Sequence, residues 1–248
     1  MRNLKLILAY DGTDFCGWQV QPDAESVQGT LSSAIGRLTG EKVLPQGSGR
    51  TDAGVHALAQ VATFQTESVI PAANLVTALN DILPPSVRVT EASEVPSEFH
   101  ARKSAKAKTY RYRILRDAVC PPFLARYVWH YPYPLCFDAM AEAGPLIEGE
   151  HDFTSFAAVD PEKGAAERSN VRTIYSSAWR QDGSEFIYEV RGNGFLHHMV
   201  RNLVGTFLLV GKGTLKPADV PEIVLAMNRS AAGATAPAQG LYLVSVEY

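Results

Sequence analysis

A hydrophobic run long enough to cross a bilayer is missing from these 248 residues. A spanning helix needs about 20 consecutive apolar residues, and the longest apolar stretch, Leu203 to Val210, is broken by Gly205 and Thr206. A secretory leader is not expected either. The apolar part of Met1 to Tyr10 is too short for an h-region with a cleavage site, and it reads as a first β-strand. Cysteine is scarce: Cys16, Cys120 and Cys136 are odd in number, scattered, and contain no C-x-x-C pair. That argues against a disulfide scaffold and against a structural zinc site, and it favours a reducing, cytoplasmic compartment. A global excess of positive charge is also lacking, since the net charge is −3. Nucleic-acid binding depends on where cations sit and not on their sum. Acids are locally absent too. Between Phe99 and Arg116 stand Arg102, Lys103, Lys106, Lys108, Arg111, Arg113 and Arg116, seven of the 23 basic residues, with Tyr110 and Tyr112 interleaved and no carboxylate. Such a run is usually a solvated charged face, but the interleaved tyrosines, the alternation and the lack of acids weaken that reading against a nucleic-acid contact.

With 46% hydrophobic and 20% charged residues, the chain can build one large domain or two small ones. The pattern divides into two halves, 1–105 and 106–248, joined in the basic segment 102–108. In the first, a strand at Leu4 to Tyr10 leads into the turn Asp11-Gly12-Thr13-Asp14. Helical spacing of Val27, Leu31, Ala34, Ile35 and Leu38 predicts a helix with Ser26 as N-cap and Gly40 past its end. A strand over Val55 to Gln65, a helix over Pro71 to Ile82 and a strand beginning Val87-Arg88-Val89 follow. The second half offers a strand at Thr109 to Leu115, a helix at Asp138 to Leu146 with a loop at Glu148 to Asp152, and a hairpin of Ile174 to Trp179 and Glu185 to Arg191. A long helix is expected over Gly194 to Val210, a short one at Pro221 to Met227, and a closing strand at Gly240 to Tyr248. This order predicts an α+β sandwich and not a doubly wound parallel sheet. The Glu-, Lys-, Gly- and Ala-rich stretch from Ala158 to Ser169 reads as a mobile loop over the cleft between the halves.

Several motifs fail on inspection. Gly211-Lys212-Gly213-Thr214 resembles the tail of a phosphate loop, but Gly205 is one residue too distant and the segment follows a helix. Gly47-Ser48-Gly49 starts like a dinucleotide fingerprint, yet Asp52 holds the third glycine position. His197-His198, read as helical neighbours about 100° apart, could not easily chelate one metal together. No second carboxylate has a context that would complete a glycosidase acid pair.

Gly47-Ser48-Gly49-Arg50-Thr51-Asp52-Ala53-Gly54-Val55-His56-Ala57 carries the chemistry. Its three glycines permit unusual dihedrals and close approach of a ligand's backbone. Arg50 and Asp52, two apart, share one side of an extended backbone. A carboxylate beside a guanidinium stays ionised, which nucleophilic or base chemistry requires. On physics alone, a tight turn with a structural Arg–Asp pair is an equal alternative.

Arg50-Thr51-Asp52-Ala53-Gly54-Val55-His56 resembles the signature of the pseudouridine synthases, specifically the tRNA pseudouridine synthase A family. The likeness extends over essentially the full length. It includes Tyr10-Asp11-Gly12-Thr13, Gly17-Trp18-Gln19, Ser26-Val27-Gln28-Gly29, Phe99-His100-Ala101-Arg102, Lys108 to Tyr112, His151 to Phe156, Gly194 to Asn202, and Ala236-Pro237-Ala238 with Gly240 to Leu243. The resemblance implies two α/β-sandwich domains sharing a largely antiparallel sheet with a central RNA-binding cleft. It implies that Asp52 is the catalytic carboxylate and that Tyr110 stacks on the target base. Arg201 would pair with Asp52 from the second domain, Arg50 and Arg102 would hold the RNA backbone and displaced strand, and Leu241 would wall the uracil pocket. The plain alternatives are core positions for Tyr110 and Leu241 and a helix-surface cation for Arg201.

The implied substrate is the anticodon stem-loop of tRNA (positions 38, 39 and 40), read by shape more than sequence, by a homodimer. A stacked uridine must leave its stack before a side chain reaches the sugar–base bond, and stacking on an aromatic contributes about 1–3 kcal/mol per base. The reaction breaks N1–C1′, turns the uracil and joins C5 to C1′. No atoms enter or leave, so no cofactor and no metal is called for. Asp52 could attack the anomeric carbon or the uracil ring, or abstract a ribose proton to give a glycal-like intermediate. A silent RNA-binding module and a nucleoside glycosylase are the competing classes. The first could dispense with the Arg50–Asp52 pair, and the second would release free uracil.

Overall fold

The computed structural model describes residues 1–158 and 169–248, so most of the loop expected over 158–169 lies outside the described residues. In chain order the strands and helices are β1 (Arg2–Tyr10), α1 (Val27–Thr39), β2 (Gln46–Gly47), β3 (His56–Thr66), α2 (Ala72–Ile82), β4 (Val87–Val95), β5 (Ala107–Leu115), β6 (Trp129–His130), α3 (Phe137–Ala143), β7 (Gly149–Asp152), β8 (Val171–Asp182), β9 (Glu185–Gly192), α4 (Met199–Gly211), α5 (Asp219–Leu225) and β10 (Leu241–Glu247). The fold is mixed α+β, and its strand pairings are mostly antiparallel. Two compact units are present. Met1–Lys106 with Tyr242–Tyr248 forms the first, and Ala107–Leu241 the second. The last seven residues thus join the first unit, where a division of the sequence into 1–105 and 106–248 leaves them in the second. Their strand pairs in parallel with β3, setting Tyr242 opposite His56 and Leu243 opposite Ala57. Long-range pairing of this kind has no local signal.

In the first unit, β1 lies between β4 and β3, antiparallel to both. Alternation buries Leu4, Leu6, Leu8 and Tyr10, as the two-residue period of a strand requires. A register shift between Leu8 and Tyr10, which face Gln60 and Ala57, places one extra residue in β3 opposite the C-terminal end of β1. Bulges of this kind re-aim a side chain beside a site. Helix α1 begins where the Ser26 hydroxyl accepts from the Gly29 N–H at 3.2 Å and ends at Gly40 in the left-handed conformation, so both expected caps are used. Its buried face is Val27, Gln28, Leu31, Ala34 and Ile35. Helix α2 contributes Leu75 and Leu79.

The second unit pairs β5, β9, β8 and β7 in that order, with β6 parallel to β5. Its core holds Tyr112, Ile114, Tyr188, Val190, Leu203 and Phe207. Two expectations are corrected here. The segment taken as a loop after α3 contains β7, whose Gly149–Asp152 pair with Ile174–Val171 along β8. The long helix starts five residues later than the apolar pattern suggested. His198 takes a left-handed φ of 58° as the N-cap of α4, so His197 and His198 precede the helix. Their rings lie 4.0 Å apart, and the helical-direction argument against their acting together does not apply.

Candidate active site

The glycine-rich signature is the turn between β2 and β3. The Val55 N–H donates to the Asp52 carbonyl at 3.1 Å, and Gly54 has a φ of 77°. A positive φ at the third position of a four-residue turn is where glycine is favoured over any side chain, which accounts for Ala53-Gly54 after the aspartate. The turn is clamped by the loop after β1. The Trp18 N–H donates to the Thr51 carbonyl at 3.0 Å, and the Gly54 N–H to the Phe15 carbonyl at 3.3 Å. A methyl on Gly17 would sit 2.5 Å from the Thr51 oxygen, and one on Gly12 would sit 2.0 Å from the Val55 oxygen. Two motifs that lie far before the signature in sequence therefore pack backbone-on-backbone against it. Asp52 itself is half-buried on this turn.

Under the turn, His56 is 1% exposed and stacks on Tyr242 at 4.9 Å. Its Nδ1 is 3.1 Å from the Gly12 N–H nitrogen and 3.2 Å from the Asp11 carboxylate. A single nitrogen cannot accept from the first and donate to the second. Accepting from the Gly12 amide requires that Nδ1 carry no proton. Asp11 turns instead to the Thr13 N–H and hydroxyl at 3.0 and 2.5 Å.

Arg50 and Arg102, both exposed, line one cavity of about 220 Å³ together with Gln19, Gln46, Gly49 and His100. The His100 Nδ1 accepts from the N–H groups of Arg102 and Lys103 at 3.0 and 3.4 Å, and the Ser104 hydroxyl accepts from the His100 N–H at 3.1 Å. This knot holds the loop that carries Arg102. His100 was not among the residues the sequence nominated for the site, although it stands in the Phe99-His100-Ala101-Arg102 motif.

The remaining nominated residues belong to the second unit. Tyr110 faces Val190 across β5 and β9, is 7% exposed, and meets the Phe195 ring edge-on at 5.0 Å. Arg201, in the first turn of α4, donates through Nε to the Ala236 carbonyl at 2.7 Å, and Ala236 returns its N–H to the Arg201 carbonyl at 3.1 Å. The 233–236 segment can lie this close because a methyl on Gly205 would come within 1.7 Å of the Ala234 oxygen. Asn202, fully buried, joins the same seam, accepting from Arg229 at 3.0 Å and Thr235 at 2.7 Å. The Tyr112 hydroxyl donates to the Pro237 carbonyl at 2.7 Å. Burial pushes that hydroxyl's pKa well up, against the opposing charge of Arg201. Leu241, 5% exposed, follows directly as the first residue of β10.

The basic run divides once it is folded. Its missing acids come from β9. Arg111 grips Glu189 through Nε and Nη2 at 3.1 and 2.9 Å, and Arg113 forks onto Glu185 at 2.8 and 2.6 Å. Arg116 donates to the Tyr131 and Tyr133 carbonyls at 2.8 and 2.6 Å, and its guanidinium stands over Phe186. These three cations serve the second unit's own structure. Arg102, Lys103 and Lys106 stay exposed.

The family model described as tRNA pseudouridine synthase matches residues 6–102 and 145–248. The chain belongs to this family and is an enzyme of the isomerase class. Its relatives include proteins named tRNA pseudouridine synthase A from Solibacter usitatus, 51% identical, from Brevibacillus brevis, 47%, and from Caldicellulosiruptor bescii, 44%. Each comparison covers 100% of both chains. A chain of a solved Cbf5–Nop10–Gar1 complex aligns over 96% of this chain and 57% of its own length, at 13% identity and a TM-score of 0.35, too distant to bear on the chemistry.

Proposed function

We propose that this enzyme isomerises uridine to pseudouridine at positions 38, 39 and 40 of the anticodon stem-loop of tRNA, with Asp52 as its catalytic carboxylate. The observation that supports the reading best is the turn itself. Asp52 stands on backbone fixed by the Val55, Trp18 and Gly54 hydrogen bonds, and two residues before it Arg50 opens a cavity shared with Arg102. A carboxylate on rigid backbone loses little freedom on meeting its substrate, which is how positioning lowers a barrier. Arginines beside it suit phosphate oxygens, which guanidinium forks match geometrically.

In this reading Arg50 and Arg102 hold the RNA backbone, Tyr110 supplies a stacking face, Arg201 pairs with the catalytic carboxylate, and Leu241 forms an apolar wall for uracil. The reaction cleaves N1–C1′, forms C5–C1′, releases the C5 proton and protonates N1. Asp52 either attacks carbon or removes a ribose proton, and both routes use its ionised form. We further propose that the enzyme acts in the cytoplasm as a homodimer. No helix among the described residues is long and apolar enough to cross a membrane.

Tritium release from tRNA labelled at uracil C5 tests the assignment. Release by the wild type and none by Asp52→Asn, with no free uracil and with RNA affinity kept within a few-fold, is the expected result. Free uracil would make the protein a glycosylase. Equal loss of binding and turnover would make Asp52 a structural residue.

A further inference from the structure

Gln60 lies in β3 beneath the turn and is 0% exposed. A primary amide in such a place costs free energy unless its hydrogen-bonding groups are satisfied. All four are. Oε1 accepts from the Ser48 hydroxyl at 2.6 Å and from the Val61 N–H at 3.2 Å, while Nε2 donates to the Gly49 carbonyl at 3.0 Å and to the Tyr10 hydroxyl at 3.4 Å. The amide faces one way, because a flip would set Nε2 against the Val61 N–H and Oε1 against the Gly49 carbonyl. Tyr10 also shares a hydroxyl–hydroxyl hydrogen bond with Thr51 Oγ1 at 2.8 Å. The register between β1 and β3 shifts by one residue just before Tyr10, which faces Ala57.

Three of these partners stand in the signature turn: the side chain of Ser48, the carbonyl of Gly49 and the side chain of Thr51. The Trp18 N–H adds the carbonyl of Thr51. The segment from 48 to 51, which delivers the chain to Asp52, is thereby tied to β1 and β3 by direct hydrogen bonds. We infer that Gln60, acting with Tyr10, is a positioning residue for Asp52, holding the carboxylate's turn in its reactive geometry before RNA arrives. The inference rests on the reading of Asp52 as the catalytic carboxylate. An apolar side chain would fill β3 at lower desolvation cost, so the amide's place is explained by what it grips. Both side chains are buried and act through the segment from 48 to 52.

The test compares wild type, Tyr10→Phe, Gln60→Met and Asp52→Asn in single-turnover pseudouridylation of an anticodon stem-loop at saturating enzyme. RNA affinity and melting temperature are measured in parallel. In Tyr10→Phe and Gln60→Met the rate at saturation is expected to fall about tenfold to a hundredfold, the scale of a sub-ångström to ångström misplacement, with RNA affinity and KM unchanged. A lowered melting temperature with a wild-type rate in the folded variants would overturn the inference, leaving the network as plain core. A matching loss of RNA affinity would overturn it as well. If Gln60→Met does not fold, Tyr10→Phe, which deletes one oxygen, decides alone. Full turnover by Asp52→Asn would instead sink the underlying reading, an outcome distinct from the other two.

Discussion

Gly17→Ala separates positioning of the catalytic turn from mere stability. Gly17 has a φ of +106°, and a methyl there would lie 2.5 Å from the Thr51 oxygen, 3.1 Å from the Asp52 carbonyl carbon and 3.2 Å from the Ala53 nitrogen. Cβ contacts shorter than 3.0 Å are essentially unseen in proteins, so the Thr51 carbonyl must retreat by at least about half an ångström. All three atoms are backbone of the turn that carries Asp52, and none can swing aside as a side chain could. The left-handed conformation costs an alanine about 1–2 kcal/mol, and weakening the Trp18–Thr51 bond adds about 0.5–1.5 kcal/mol. Together they amount to about 1.5–3.5 kcal/mol, or a melting temperature lower by about 3–14 °C at about 2–4 °C per kcal/mol. Displacement of the carboxylate should lower the rate at saturation about a hundredfold. Gly40→Ala is the control. Its φ is +77°, nothing lies within 4 Å of the added methyl, and it caps a helix away from the turn. It should lower the melting temperature by a few degrees, as about 1–2 kcal/mol implies, and keep the wild-type rate. Differential scanning fluorimetry with single-turnover kinetics reads both quantities. A folded Gly17→Ala enzyme with an undiminished rate would refute the claim that this loop sets the turn.

Other outcomes follow from the sorting of cations and from buried tyrosines. Removing Arg102, which is exposed beside the cavity, should flatten the slope of log affinity against log salt by about 0.7–0.9, one phosphate contact. Arg113→Ala, which breaks the Glu185 fork, should leave that slope unchanged. Fluorescence anisotropy over a salt series compares the two directly. At high pH, burial holds the Tyr10 hydroxyl's pKa up to about 12 from an ordinary 10.0. A raised folded pKa means stability is full below pH 10 and is lost between there and about 12, as the unfolded chain releases its proton first. Denaturation monitored by circular dichroism should show that decline, and Tyr10→Phe should make it shallower. An equally steep decline in the variant would assign the loss elsewhere, for example to Tyr188, whose hydroxyl burial also raises.

Local chemistry was legible in the sequence because it depends on near neighbours. Ser26 and Gly40 bracket α1, and the alternation of β1 and the turn residues of Asp52-Ala53-Gly54-Val55 follow from steric and hydrogen-bonding preferences that act over a few residues. The same holds for the mixed α+β class and for the signature that pointed to Asp52. The start of α4 was misplaced because an apolar pattern continues through Leu196, while the left-handed backbone at His198 delays the helix. β7 was missed because four edge residues, Gly149–Asp152, take their pairing from distant β8. The tertiary structure alone decided which cations are available. Glu185 and Glu189 lie 72 and 78 residues from the arginines they neutralise, and only the β5–β9 register brings them together. It alone also revealed Gln60. In sequence that residue is one of several polar side chains in β3, alongside His56, Thr63, Gln65 and Thr66, and nothing local singles it out. Its partners at 10, 48 and 49 come within reach only when β1 and the turn fold against β3. Sequence thus determined the chemical groups and their local conformations, whereas tertiary pairing decided which groups meet, because hydrogen bonds and ion pairs depend on ångström distances that the chain closes only by folding.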